Sequence, residues 1–183
     1  RRTFVQTSAA AGAALLPAVS APHELHAQGR GGGNPVPASI QALQPLPNPA
    51  PPIADDERRA RIAKAQRLMS EQGLGAIVLE TGTSMSYFVN VRWGLSERPF
   101  LLVIPAKGDP AYISPGFEEE RAREVIRFSN DVRVWQEDED PLKLVAGILR
   151  DRGVVTAKVG IEERVRFFIA DGLAKALPPS QVV

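Results

Sequence analysis

The sequence of 183 residues contains no cysteine and only two histidines, His23 and His26. The missing thiols exclude disulfide frameworks, thiolate metal sites, cysteine nucleophiles and lipid anchors that attach to cysteine. Both histidines precede residue 28, so the rest of the chain excludes a Ser-His-Asp triad and any metal site that needs histidine. Because an unfolded tail cannot pre-organise ligands, we assign no metal role to His23 and His26.

The chain also carries little net charge and no long apolar run. Lys and Arg together number 22 and Asp and Glu 21, which gives a formal net charge of +1. Such a balance provides no general attraction toward nucleic acid, so we predict no nucleic-acid partner. No apolar run reaches the roughly 20 residues that a membrane-spanning helix needs, so we predict no stable membrane span.

Residues 1–27 have the pattern of an export signal. A pair of arginines opens the chain, and Phe4 follows two positions later. A weakly apolar run rich in alanine and glycine then extends over residues 7–19. This combination is typical of a twin-arginine (Tat) signal peptide, which predicts a periplasmic or secreted location. Small residues before the cut allow cleavage after Ala21 or after Ala27.

Residues 28–54 have the composition of a linker. Seven of the 16 prolines lie in this segment, together with a run of three glycines and a single charge, Arg30. Such a segment has no periodicity and cannot bury a core. We therefore predict an extended, disordered linker between the signal peptide and a folded domain at residues 55–183.

From residue 55 onward the chain alternates helical and strand patterns. The predicted elements are helix 55–72, strand 75–79, helix 83–89, strand 100–104, strand 111–114, helix 117–128, strand 132–135, a helix that opens at 140, strand 157–161 and helix 164–177. Turn residues at 107–110 predict that strands 100–104 and 111–114 form a hairpin. This order favours a three-layer α/β domain with a mixed β-sheet flanked by helices.

Two helix starts follow from local signals. Asp55 or Asp56 is expected to cap the first helix. The apolar face of that helix is predicted to comprise Ile62, Ala65, Leu68 and Met69. Glu162 and Glu163 are expected to begin the last helix, since acidic residues are favoured in a first turn.

The final residues, 181–183, begin the pattern of one more strand. A domain seldom ends inside a core strand. We therefore expect that the chain is a fragment, cut before its next domain.

One loop, within residues 87–100, carries most of the candidate binding side chains. They are Asn90, Arg92, Trp93, Ser96, Glu97, Arg98 and Pro99. An arginine suits a carboxylate because it stays charged and can bind bidentately, and a tryptophan offers an apolar or cation-stacking face. Two interpretations stay open. Arg98 and Trp93 bind substrate, or Arg98 pairs with Glu97 or another nearby acid while Trp93 belongs to the core. No catalytic residue and no metal ligand is predicted.

Residues 55–183 resemble the N-terminal domain of the creatinase, prolidase and Xaa-Pro aminopeptidase family. The matching segments, in order, are Arg58 to Leu68, Gly73 to Val78, Tyr87-Phe88, Arg98-Pro99 with Phe100 to Ile104, Phe117-Glu118 and Val159 to Glu162. One segment departs from the family pattern. Residues 84–88 read Ser-Met-Ser-Tyr-Phe, where the family has Asn-Ile-x-Tyr-Leu.

The resemblance implies a mixed sheet flanked by helices, with a ribonuclease H-like motif, and a following domain with the pita-bread fold. In peptidase members, two Asp, one His and two Glu of that second domain hold a dinuclear divalent metal centre. None of those ligands can be placed on this chain. In creatinase-like members an arginine of an Arg-Pro loop reaches the substrate carboxylate, and Arg98 occupies the matching position. Ser96 replaces the aromatic residue that creatinase has, which disfavours creatine as the substrate.

Three hypotheses about function follow. The first is the non-catalytic N-terminal domain of an exported Xaa-Pro peptidase-type metallo-hydrolase, which contributes substrate gating and dimer contacts in a homodimer and is inactive alone. The second is a free-standing periplasmic binding or dimerisation module. The third is the N-terminal half of a metal-independent, creatinase-like amidinohydrolase.

Overall fold

The computed structural model describes residues 35–178 and 181–183. The chain divides into two units at Pro49, and the second comprises Ala50–Val183. The predicted signal peptide lies outside the described residues. Within the segment that we expect to be a linker, α1 (Ala38–Gln41) forms one helical turn.

The second unit alternates helices and strands in the predicted order. Its elements are α2 (Asp55–Glu71), β1 (Leu74–Glu80), α3 (Thr83–Val89), β2 (Leu101–Pro105), β3 (Ala111–Pro115), α4 (Glu119–Val125), β4 (Val132–Trp135), α5 (Pro141–Asp151), β5 (Lys158–Ile161) and α6 (Phe167–Ala176). A short 3-10 turn, Gly116–Glu118, leads into α4. The predicted bounds of α3 and β4 agree with the structure residue for residue. Among the described residues, no helix combines the length and the apolar character needed to cross a bilayer.

The five strands form one mixed sheet in the order β4-β3-β2-β1-β5. Strand β2 pairs with β1 and with β3 in antiparallel fashion, which confirms the predicted hairpin. The pairs β1-β5 and β3-β4 are parallel. Beyond β5, Val182 forms a parallel bridge with Val159, so residues 181–183 do extend the sheet.

Helices cover both faces of the sheet. Successive residues of a strand point to opposite sides, and those of β2 are apolar on both sides, so both faces need cover. On one face Leu101 and Val103 pack into a core with residues of α5 and α6. On the other face Leu102 and Ile104 pack with residues of α2, α3 and α4. These two cores make the three-layer arrangement that the sequence predicts.

The start and the face of α2 differ from the prediction. The N-cap is Ala54, and no side chain caps the helix. Asp55 is the first helical residue, and its carboxylate instead accepts hydrogen bonds from Arg127 Nη1 at 3.0 and 3.1 Å. Leu68, expected on the apolar face, is 37% exposed, whereas Arg58 is buried. Arg58 thus lies on the side of α2 that faces α3, where its guanidinium finds hydrogen-bond acceptors.

Two helix ends are also displaced. Helix α4 ends at Val125 rather than at residue 128, since the next residue is extended and Phe128 has a positive φ of 67°. Helix α6 begins at Phe167, so the expectation that Glu162 and Glu163 start it is wrong. The reason lies in the backbone N–H of Arg166, which donates to Glu80 Oε2 at 3.2 Å and holds the preceding residues in a turn.

The buried Arg58 ties α2 to the C-terminal end of α3. Its Nη1 donates to the carbonyl oxygens of Ser86 and Tyr87 at 2.5 and 3.1 Å, and its Nη2 donates to Asn90 Oδ1 at 3.0 Å. The last carbonyls of a helix lack partners within the helix and carry partial negative charge, so a guanidinium there is favourable. Its Nε is buried and has no hydrogen-bond partner among the described residues, so the site satisfies most but not all of its donors.

We expect Arg58→Met to lower the free energy of unfolding by about 2 kcal/mol, since the carbonyl oxygen of Ser86 and the side chain of Asn90 lose a charged donor. Urea unfolding of the purified chain measures this. Arg67→Met is the matched control, because Arg67 lies on the same helix, is exposed and pairs with the exposed Glu71. The control should change stability by less than about 0.5 kcal/mol. Equal losses in the two variants would contradict the role of Arg58.

Tyr112 is fully buried, and its hydroxyl donates to the carbonyl oxygen of Arg127 at 2.7 Å. Burial raises the pKa of the Tyr112 phenol above its ordinary value of 10.0. The unfolded chain therefore loses this proton at lower pH than the folded chain does. The stability that the neutral phenol contributes is complete below about pH 10 and is lost as the pH rises further.

We expect Tyr112→Phe to cost about 1 kcal/mol at pH 8, the value of one lost hydrogen bond. Above pH 10 the wild-type chain should lose stability relative to the variant by about 1.4 kcal/mol per pH unit. Urea unfolding between pH 8 and pH 11 measures the difference. Tyr87→Phe controls for the removal of a phenol. Parallel curves for the wild type and Tyr112→Phe would show that the buried phenol does not control alkaline stability.

Candidate functional site

The loop between α3 and β2 is held at both ends. Asn90 ends α3 in the left-handed conformation, with φ 58°, and its side chain accepts the hydrogen bond from Arg58. At the other end, Trp135 Nε1 donates to the carbonyl oxygen of Pro99 at 3.2 Å. Between these two points Val91 is completely buried. The loop is therefore a fixed frame on which its polar side chains are displayed.

Trp93 lies at the base of this loop and is only 9% exposed. Its ring stacks on Phe100, with 4.3 Å between ring centroids and 13° between the planes. The guanidinium of Arg121 lies 4.3 Å from the centroid of the indole, a cation-π contact. Trp93 therefore contributes to the core, as one of the two interpretations expects. It also borders an open cavity of about 590 Å³ together with Arg92 and Ser86.

Arg98 projects from the same loop, and its side chain is 35% exposed. Its Nε donates to Glu137 Oε1 at 2.6 Å, its Nη2 approaches Glu137 Oε2 at 3.4 Å, and its Nη1 contacts Glu97. The hydrogen bond and the charge of Glu137 raise the pKa of Arg98. The guanidinium also lies 5.2 Å from the ring of Phe117. In this chain by itself Arg98 thus forms the ion pairs of the second interpretation.

The structure gives no direct contact between Arg98 and Trp93 among the described residues, but one segment touches both. Phe117 contacts Arg98, and Arg121, four residues further on, contacts Trp93. Sequence reasoning missed Arg121 and Glu137 as neighbours of the loop. Phe117 belongs to a segment that carries the family resemblance, and Arg121 follows it by four residues. This spacing is a signal in the sequence that indicates Arg121 as a neighbour of the loop. The partner Glu137 is 39 residues from Arg98, and no local pattern indicates it.

A second group of charged residues that sequence reasoning missed lies at the ends of β1 and β5. Glu80 is only 3% exposed, although it is a carboxylate. It pairs with Arg166, and the nearby cavity also includes Glu162 and Arg164. No group of three or more histidine, aspartate or glutamate side chains is placed to hold a metal ion in the part of the chain that the structure describes. The described residues therefore do not form the dinuclear metal centre, which the resemblance assigns to a following domain.

Known proteins similar to this chain are peptidases and their N-terminal domains. An uncharacterised peptidase of Schizosaccharomyces pombe is 37% identical over 155 residues, which cover 77% of this chain and 33% of that protein. The crystal structure of dipeptidase PepE from Mycobacterium ulcerans has a TM-score of 0.56 and 28% identity, covering 66% of this chain and 32% of the other. The chain thus spans about a third of the length of these relatives.

A solved N-terminal domain is matched by this chain over almost the whole length of that domain. The creatinase/prolidase N-terminal domain of an Xaa-Pro dipeptidase from Streptococcus pyogenes has a TM-score of 0.57 at 18% identity, covering 68% of this chain and 92% of that domain. A family model described as the creatinase/prolidase N-terminal domain matches residues 61–183. Because this match extends over most of the sequence, the chain belongs to the creatinase/prolidase N-terminal domain family.

Proposed function

We propose that this chain is the non-catalytic N-terminal domain of an exported Xaa-Pro peptidase-type hydrolase, in which it contributes substrate gating and dimer contacts. Family membership supports the proposal, and so do relatives named as a peptidase and a dipeptidase that are about three times as long. The catalytic groups and a dinuclear divalent metal would then belong to the remaining part of the protein.

The observation that carries the gating role is the presentation of Arg98. Its loop is fixed by hydrogen bonds at Asn90 and Pro99, whereas its guanidinium stays partly exposed. A planar guanidinium on a fixed loop can bind a carboxylate bidentately and thereby select the end of a peptide. Positioning of this kind contributes to catalysis without any chemistry by the residue itself.

The carboxylates that hold Arg98 are replaceable. The side chains of Glu137 and Glu97 are 63% and 77% exposed. Ion pairs between such exposed groups contribute little, because water and salt screen them. A substrate carboxylate that enters a more enclosed cleft can therefore displace Glu137 from Arg98 at small cost. Arg98 would then exchange an internal partner for the substrate.

Dimer contacts are proposed for the surface around this loop. Phe117 is 66% exposed, and its ring lies 5.2 Å from the guanidinium of Arg98. Large exposed apolar side chains are common at interaction surfaces. A second subunit seated there would cover Phe117 and bring Arg98 toward a substrate.

The role of Arg98 can be tested in the whole enzyme with Xaa-Pro dipeptides that end in a carboxylate or in an amide. We expect Arg98→Ala to lower kcat/KM for the carboxylate substrate by about 10- to 100-fold, the loss of one charge-assisted contact. The amide substrate should lose less than about threefold, because it offers no carboxylate.

Arg123→Ala is the matched control, since Arg123 is exposed, lies near Phe117 and pairs with Glu119. It should leave both substrates unaffected. If kcat/KM falls equally for the two substrates, or for neither, Arg98 forms only a structural ion pair and does not bind the substrate carboxylate. Hydrolysis of creatine in place of the dipeptides would favour the amidinohydrolase alternative.

Export is tested separately by fusing residues 1–54, preceded by an initiator methionine, to a reporter that folds in the cytoplasm. Tat transport carries folded proteins and requires the arginine pair. We expect the fusion to reach the periplasm, and the double variant Arg1→Lys, Arg2→Lys to remain inside. Periplasmic reporter activity measures the outcome. Equal export of both fusions would contradict a Tat signal.

A further inference from the structure

A small cavity lies where two parallel strands end side by side. Strands β1 and β5 run parallel, with Val78 opposite Ile161, so their carboxyl ends meet at one edge of the sheet. The cavity there, which we call the edge cavity, has a volume of about 220 Å³. In open α/β sheets the carboxyl ends of the strands are a common place for ligands. The side chains around this cavity decide what could bind.

The floor of the edge cavity is an ion pair between the buried carboxylate of Glu80 and the half-buried Arg166. Glu80 Oε1 accepts from Arg166 Nε at 2.7 Å and from Arg166 Nη2 at 2.5 Å. Its Oε2 accepts from the backbone N–H of Arg166 at 3.2 Å. Both carboxylate oxygens are therefore engaged, and the charges of Glu80 and Arg166 cancel. The pair stiffens the floor but offers no site for a ligand or a metal.

Two opposite charges remain, and one turn carries both. Glu162 Oε1 accepts from the backbone N–H of Glu80 at 3.1 Å, which fixes the position of this carboxylate. Among the described residues, no hydrogen bond reaches its other oxygen, and no ion pair involves Arg164. Glu162 and Arg164 thus face the edge cavity with one unit of each sign. The exposed apolar side chain of Leu95 also lines it.

This lining selects a ligand by charge and by size. An anion or a cation with a single charge would find one suitable partner and one like charge, which disfavours it. A zwitterion finds a partner for each end, with its carboxylate on Arg164 and its ammonium group on Glu162. A cavity of about 220 Å³ has room for a small organic molecule and not for a peptide. Small α-amino acids have this size and these charges.

We propose that the edge cavity binds a free α-amino acid as its zwitterion, with Arg164 and Glu162 holding the two charged ends and Leu95 beside a small apolar side chain. The site belongs to this domain itself, so its occupancy does not depend on the proposed peptidase role. The proposed role adds one reason for this ligand class, since peptide hydrolysis releases amino acids.

The test is an NMR titration of the ¹⁵N-labelled 183-residue chain with L-proline and L-alanine. We expect amide signals of residues 80–84 and 162–166 to shift and saturate in the millimolar range. Acetate and methylamine, each carrying one of the two charges, should bind at least tenfold more weakly. No shifts with either amino acid up to 50 mM, or equal shifts with acetate, would overturn the proposal.

Two variants test which residue binds each charged end of the amino acid. Arg164→Gln and Glu162→Gln should each weaken amino acid binding at least tenfold. In Glu162→Gln the new side-chain amide oxygen can still accept from the backbone N–H of Glu80, so the local structure is kept. The control Arg150→Gln, at an exposed position of α5, should bind as the wild type does. The same spectra show whether each variant is folded, so a loss of binding is separated from unfolding. Unchanged affinity in folded Arg164→Gln or Glu162→Gln would also overturn the proposal.

Discussion

The ion pair of Glu80 and Arg166 is the constraint on which much of the sheet's arrangement depends. A carboxylate that is 3% exposed at the end of strand β1 would be costly without a partner. Arg166 supplies its side chain and its backbone N–H, so the chain after β5 must turn back toward β1. This turn delays the start of α6 to Phe167 and directs the helix onto α5.

Arg58 solves a similar problem on the opposite face. It brings a positive charge to the carbonyl end of α3, and the loop that follows begins from a fixed point at Asn90. In both places an arginine is held by a buried partner or is itself buried and serves structure, whereas Arg98 and Arg164 stay at the surface. The molecule thus separates charges that position the backbone from charges that are available to a ligand or a partner. This separation is the physical basis of both proposals.

Much of the fold can be predicted because its signals are local. Strand β2 is apolar at every position, as expected for a strand covered on both faces, and α3 and β4 occupy the predicted residues. The errors come from partners distant in sequence. Nothing near residue 164 indicates that Glu80 will hold the turn, and nothing near Arg58 indicates the carbonyls of α3. The composition of the loop with Arg98 and Trp93 marks it as a candidate site, but Glu137 and Arg121 depend on tertiary packing.

The parallel pairing of β1 with β5 has a consequence for how the domain folds. β1 pairs with β2 across residues 81–100, but its other edge pairs with residues 158–161, and Glu80 pairs with a residue 86 positions away. Long-range closures of this kind are slow, because chain entropy is lost before contacts are gained. Before β5 pairs with it, this edge of β1 is open and the carboxylate of Glu80 at its end has no partner. A charged group on an open strand edge opposes association with other chains, so Glu80 would disfavour aggregation at that stage.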